Sequence, residues 1–339
     1  MNKRLYYLDN LKVFLTALVV FHHANIPFSH AGDWGYSPSN PAEFIPNLWH
    51  FNSINATFFM GLFFFISGFF VPGSYDRQGG KTFCQKKLLR LGIPLLLVTM
   101  IVSSADHCLS FAHVWFVESL LIFSLLYALV RQFAKPIDSK NAKSRLTILA
   151  IVAFATVLGL LQLLIRGVSN QDNWIMFLGF IRMEPAHYLQ YASLFVLGIL
   201  AYRLGWLEKL KNSIGIGAVI ASILFCIGDL LRGENAWGGF VWHWFGMYEA
   251  FMCVSICIAL IWIFREFGNW SGSFWKWCSA QTYGAYIFHL FVLLSIEYAM
   301  DNVAMPVFLK FILEGSLATI FSFAITWLFR LIPGVKKVL

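Results

Sequence analysis

Ten apolar windows, each about 20 residues long, punctuate this chain and leave little room for anything but a stack of membrane-crossing helices. They run over 11–28, 51–71, 91–106, 114–131, 147–165, 186–202, 213–231, 245–264, 282–299 and 307–329. With 59% apolar and only 12% charged residues, and a mean hydropathy of +0.68, the composition is far from that of a soluble domain. The windows at 91–106 and 186–202 are the weakest, and 174–181 reads as an additional re-entrant or interfacial piece. The expected fold is all-α: a polytopic bundle of about ten transmembrane helices. One membrane-embedded domain covers residues 1–339, with no soluble domain and no cleavable signal peptide.

Charge sets the expected orientation. Of the 25 Lys and Arg, 21 fall in alternate loops and at the two ends, so both termini are expected in the cytoplasm. The net +8 then divides into about +16 on the inner side and about −8 on the outer. The basic balance is explained by topology, and nucleic acid is not an expected partner. Six cysteines without a CxxC pair suggest neither a disulfide framework nor a metal site. No HExxH, phosphate loop or Rossmann glycine set is present.

Ionisable residues inside such windows are costly and point to function. Leu8-Asp9-Asn10-Leu11-Lys12 leads into a helix that carries His22 and His23. Lys12 and His23, eleven residues apart, share a face through positions 12, 16, 19 and 23, about 16 Å apart along the axis. The imidazole therefore belongs at membrane depth. Seven further histidines, His30, His50, His107, His113, His187, His243 and His22 itself, fall toward the outer side; neutral imidazole also suits a membrane interface. His289 is read on the inner side of its span.

Further segments carry chemistry. Phe64-Phe65-Ile66-Ser67-Gly68 has a small Ser-Gly step that admits another backbone or a slim ligand. Lys87 and Arg90, three residues apart ahead of Gly92-Ile93-Pro94, suit phosphate oxygens and also anchor topology. His113-Val114-Trp115 leads to Glu118, on the same face as Trp115. Tyr283 through His289 places two phenols and an imidazole on the ninth window. In the first outer loop, Asp33, Trp34, Tyr36, Glu43 and Trp49 offer aromatic faces and carboxylates to a sugar, or simply form an interfacial belt.

In their order and spacing these pieces, together with Phe195-Val196-Leu197-Gly198 and its continuation to Arg203, resemble the acyltransferase 3 family of integral-membrane acyltransferases, stand-alone branch. The resemblance covers nearly the whole chain. It implies about ten helices and transfer of an acetyl, succinyl or similar short acyl group to a hydroxyl of a sugar or other acceptor. The family's first-span arginine, ten residues and histidine are carried here by Lys12 and His23. Lysine keeps the charge but loses the bidentate fork, and Lys87 departs from an expected arginine in the same way.

The resulting expectation is an enzyme of a bacterial plasma (inner) membrane. Acyl-CoA serves as co-substrate from the cytoplasm, with its phosphates on Lys12, Lys87 and Arg90. His23 is the general base on an acceptor hydroxyl arriving from outside, by direct transfer and without a metal. Ser67, His113, Trp115, Glu118, Tyr283 and His289 are candidates for acceptor binding or support. Beyond the lipid bilayer, acyl-CoA and a glycan or other hydroxyl acceptor, no partner follows, and the oligomeric state stays open. The rival reading is a secondary transporter or channel, against which stands the absence of an internal repeat.

Overall fold

The computed structural model describes residues 4–29, 34–106, 112–135, 146–169, 173–178, 180–232 and 240–339. His30, Asp33, His107 and Cys108 lie outside them, as does the side chain of His243. Every apolar window is helical, and the helices fall into two compact units, residues 1–59 with 264–337 and 339, and residues 60–263 with 338.

The first unit is built on α1 (Tyr6–Ser29), the start of α2 (Trp49–Gln78), α11 (Ser273–Met300) and α12 (Val307–Phe329). Its core is a seam of Val20, Ala24 and Phe28 from α1, Leu293 from α11, and Phe311 and Ala318 from α12. Gly315 makes this seam close. A Cβ there would meet the Phe21 ring at 2.7 Å, so only glycine lets α12 approach α1 at the level of the paired histidines. The opening motif also has a structural use. Asn10 donates to the carbonyls of Gly268 and Trp270 at 2.7 and 2.9 Å, satisfying backbone groups of the turn before α11 that helix geometry leaves unpaired.

In the second unit, α2 continues and is followed by α3 (Gly80–Lys87), a π-helical turn Leu88–Gly92, α4 (Ile93–Asp106), α5 (Trp115–Phe133) and α6 (Ile148–Arg166). Next come α7 (Pro185–Leu204), the short α8 (Trp206–Lys209), α9 (Asn212–Leu231) and α10 (Phe240–Phe267), whose end enters the first unit. The π turn has a local cause. Pro94 has no N–H to return to Arg90, and widening the turn by one residue absorbs the mismatch without ending the helix. Thr147 caps α6 by accepting from the Ala150 N–H, and α7 starts on Pro185 and stops at left-handed Gly205, φ 65°.

Among the described residues, eight helices are long and apolar enough to cross a membrane. Those beyond them, α4 and α7, coincide with the two weakest windows. Helix α4 has only 14 residues. Helix α7 has 20 but carries polar groups inward: His187 and Gln190 are both buried. His187 bonds Glu184 through Nδ1 at 2.7 Å and Glu249 through Nε2 at 2.6 Å, and Arg166 donates to the second oxygen of Glu249. His187 thus belongs to a buried network of paired ionisable groups, the arrangement that makes burial tolerable. By contrast only 22% and 17% of the apolar windows of α6 and α9 are buried, against 72% for α2. Leu160 and Leu164 on α6 and Ile220 and Leu224 on α9 are exposed, so these two helices present their apolar sides to lipid.

The stretch 174–181, expected as a re-entrant or interfacial piece, carries two short strands: Ile175–Phe177 (β1) and Ile181–Met183 (β2) pair antiparallel. At 3 residues each the strands cannot cross a bilayer. Their backbone is partly satisfied by Glu118, whose Oε2 accepts from the Arg182 N–H at 3.2 Å.

Candidate active site

The site is centred on His23. It lies on α1 and is half-buried, and its Nδ1 is 2.9 Å from the Val19 carbonyl one turn earlier. A carbonyl can only accept, so Nδ1 carries the proton, and in the neutral ring Nε2 is left as the basic nitrogen. The imidazole is held between two rings. Trp34, from the loop after α1, lies at a centroid distance of 4.9 Å and 31°, and His289 of α11 at 5.1 Å and 45°. His289 in turn donates from Nδ1 to the Tyr286 carbonyl, and the buried Tyr286 ring is 5.6 Å away.

His289, expected on the inner side of its span, meets His23 because α11 begins at Ser273, nine residues ahead of its apolar window, which puts His289 at mid-helix. Its neighbour His22 packs instead on Phe59 at 4.8 Å and lies edge-on to His23 at 5.5 Å.

Trp34 is also bonded. Its Nε1 donates at 2.8 Å to Oε2 of Glu297, a fully buried carboxyl on α11. The rest of the loop is strapped to the same helix ends. Tyr36 and Ser39 donate hydroxyls to Asp301 at 2.7 and 2.6 Å, Tyr298 donates to the Gly35 carbonyl at 2.8 Å, and Lys310 of α12 binds both oxygens of Glu43 at 3.0 and 2.8 Å. Bonds from the Ser39 hydroxyl and amide and from Tyr36 hold the Asp301 carboxyl down at about 2. Tyr36 and Glu43, expected either to meet a sugar or to form an interfacial belt, tie the loop here, and Trp49 stacks on His50 at 3.7 Å. Glu297, Lys310 and Glu314 were missed as site residues. The signal was present: all three are ionisable residues inside the last two apolar windows.

Lys12 belongs to this unit. Its ammonium is 2.9 Å from Asp9, whose other oxygen binds Arg4 at 2.7 Å, so the carboxylate of the opening motif already orients the cation expected to meet phosphate.

Apart from Tyr283, the remaining candidates lie in the second unit. Arg90 sits on the π turn and is exposed; Lys87, half-buried, ends α3 with its ammonium 5.5 Å from the Phe83 ring. Burial first and Arg90 second pull the Lys87 ammonium down to about 8. The Ser67-Gly68 step admits a backbone: a Cβ on Gly68 would stand 2.1 Å from the Phe195 carbonyl oxygen, and one on Gly198 2.1 Å from that of Phe65. Helices α2 and α7 therefore cross in backbone contact there, and Ser67 flanks a packing point. Trp115 stacks on Tyr191 at 5.4 Å and 29°, Glu118 carries the hairpin, and His113 is buried. Tyr283 is half-buried on α11, one turn before Tyr286.

A polytopic helical chain with a half-buried imidazole on its first apolar helix defines the class as a membrane-helix protein. The chain belongs to the acyltransferase 3 family: the family model described as an acyltransferase domain matches residues 5–331. Among curated proteins it is similar to the glucans biosynthesis protein C of Escherichia coli strain SMS-3-5 / SECEC, 24% identical over 299 residues, with 76% of this chain and 72% of that protein covered. The same figures hold for the namesakes in strains O81 (ED1a) and O9:H4 (HS). No solved structure matches. The family and these relatives support acyl transfer to carbohydrate in general terms.

Proposed function

We propose that this protein transfers a short acyl group, of acetyl or succinyl type, from acyl-CoA to a hydroxyl of a glycan, with His23 as general base, in a bacterial inner membrane. The observation that carries the reading is the bond from His23 Nδ1–H to the Val19 carbonyl, which leaves Nε2 as the nitrogen able to take a proton. Nε2 removes the proton of the acceptor hydroxyl as its oxygen attacks the thioester carbon. The C–S bond breaks, and the imidazolium returns that proton to the thiolate, giving ester and free CoA. The proton is conserved within the site, so no acyl-enzyme is needed.

Lys12, Lys87 and Arg90 are proposed to hold the donor's phosphates on the cytoplasmic side. The acceptor is proposed to reach His23 from the other face, so the acyl group crosses while CoA remains inside. The test is acceptor-dependent release of CoA thiol by the detergent-solubilised protein, over a panel of acyl-CoAs and glycans. A carrier of the same architecture would release none, and that result would overturn this function.

A further inference from the structure

Behind Trp34, three carboxyl oxygens have no hydrogen-bond partner among the described residues: Oε1 of Glu297 and both oxygens of Glu314. Both side chains are fully buried, at 0% exposure. Leaving a buried polar group unpaired is costly, and more so when it is charged. Oxygens in that position ask for donors.

Their placement says which. Glu314 lies one turn beyond Lys310 on α12 and next to Gly315, the residue packed on Phe21, so it sits at the level of the paired histidines. Glu297 is within electrostatic reach of Glu314, and its second oxygen binds the Trp34 indole that stacks on His23. Lys310 is committed to Glu43 and to the Asp301 carbonyl. A carboxyl pair of this kind accepts from O–H groups, and an acceptor with several adjacent hydroxyls supplies them.

We propose that Glu297 and Glu314 form a subsite for the hydroxyls flanking the one that is acylated, making the acceptor a vicinal-diol carbohydrate. This rests on His23 acting on an acceptor hydroxyl, as above. Trp34 covers the subsite, and the half-buried faces of Trp34 and His23 mark the way in. The segment from Trp34 to Glu43 is held by hydrogen bonds to Glu297, Asp301, Tyr298 and Lys310, contacts that a polyol can exchange one for one as it enters.

The experiment is calorimetric titration of the solubilised full chain with two glucose trisaccharides, α-linked maltotriose and β-linked laminaritriose. CoA release from acetyl-CoA and succinyl-CoA is measured in parallel. Wild type is expected to bind at least one trisaccharide. The near-isosteric Glu314→Gln and Glu297→Gln should bind it at least tenfold more weakly, with donor KM unchanged, while Glu208→Gln, at an exposed position, binds as wild type. Thermal unfolding separates lost binding from lost folding, and Glu314→Asp gives a second variant should the glutamine form misfold. Wild-type affinity in both glutamine variants, or a wild-type protein that binds neither sugar, overturns the subsite. Sugar binding that depends on both glutamates without CoA release from either donor would instead overturn the transfer reading and leave the subsite standing.

Discussion

The imidazoles of His23 and His289 lie 5.1 Å apart, centroid to centroid, although 266 positions separate them in the chain. Each ring donates from Nδ1 to a carbonyl of its own helix, Val19 and Tyr286 respectively, so both neutral rings leave Nε2 as acceptor. Of the two, His23 is half-buried and His289 fully buried, and the proposed mechanism places the acceptor hydroxyl at the half-buried one.

His23→Ala is therefore expected to lower the rate of acyl transfer by roughly 10²- to 10⁴-fold, the usual loss for a general base. His22 packs on Phe59 and faces about 100° away around the helix, so His22→Ala should cost far less. Steady-state CoA release by purified variants of equal thermal stability checks this, and equal losses at both positions would remove His23 from its role.

Under the proposed mechanism His289 would act on the reaction by holding the His23 ring. His289→Ala should reduce kcat by about tenfold, the scale of a modest misplacement of the base, with donor KM unchanged. His289→Phe, which keeps a flat ring against His23, should recover part of that loss. Parallel changes in kcat and donor KM would point to general damage to the bundle.

If Lys12, Lys87 and Arg90 hold donor phosphates, replacing any of them by Ala should raise the KM for acyl-CoA about tenfold, the loss of one charge-assisted hydrogen bond. Lys12→Arg should be tolerated. The Lys87 ammonium, lowered to about 8, is charged below that pH and neutral above it. Donor KM should accordingly rise as pH passes upward through 8 in wild type, and that rise should vanish in Lys87→Arg. Donor KM values equal to wild type in all three alanine variants would leave these cations as topology anchors only.

Gly68→Ala sets a methyl 2.1 Å from the Phe195 carbonyl oxygen, a contact that only backbone movement relieves. A loss of about 1–3 kcal/mol is expected from such overpacking, read as a lower thermal midpoint in detergent. Ser67→Ala, beside the crossing, should leave both midpoint and activity close to wild type, whereas a direct role of Ser67 on substrate would show in the rate.

Single cysteines at Ser139 and Asn212 should be labelled only from the cytoplasm, and those at Ser37 and Asn302 only from outside, as the division of about +16 and −8 requires. Labelling Asn212 and Asn302 from one side would remove the transmembrane route proposed for the acyl group.

The helices and their order were legible in the sequence, because a bilayer admits little else for apolar runs of this length. Their ends were not. The first turns of α11, from Ser273 onward and of mixed polarity, continue the helix ahead of its apolar window, since backbone hydrogen bonding does not stop where hydropathy does, and that offset hid the meeting of His289 with His23. The hairpin at Ile175–Met183 was equally hidden, because short apolar runs fit strand, helix or interface alike.

His23, Lys12 and the basic segment stood out in the sequence because an ionisable group beside or inside an apolar run is conspicuous by itself. The tertiary structure alone decided which of them have company. It gave Lys12 to Asp9, Glu118 to the hairpin backbone, Tyr36 and Glu43 to the loop strap, and Trp34 and His289 to His23. A side chain's chemistry is local to its position in the chain, but whether its donors and acceptors are already satisfied depends on residues hundreds of positions away that packing brings within 3 Å.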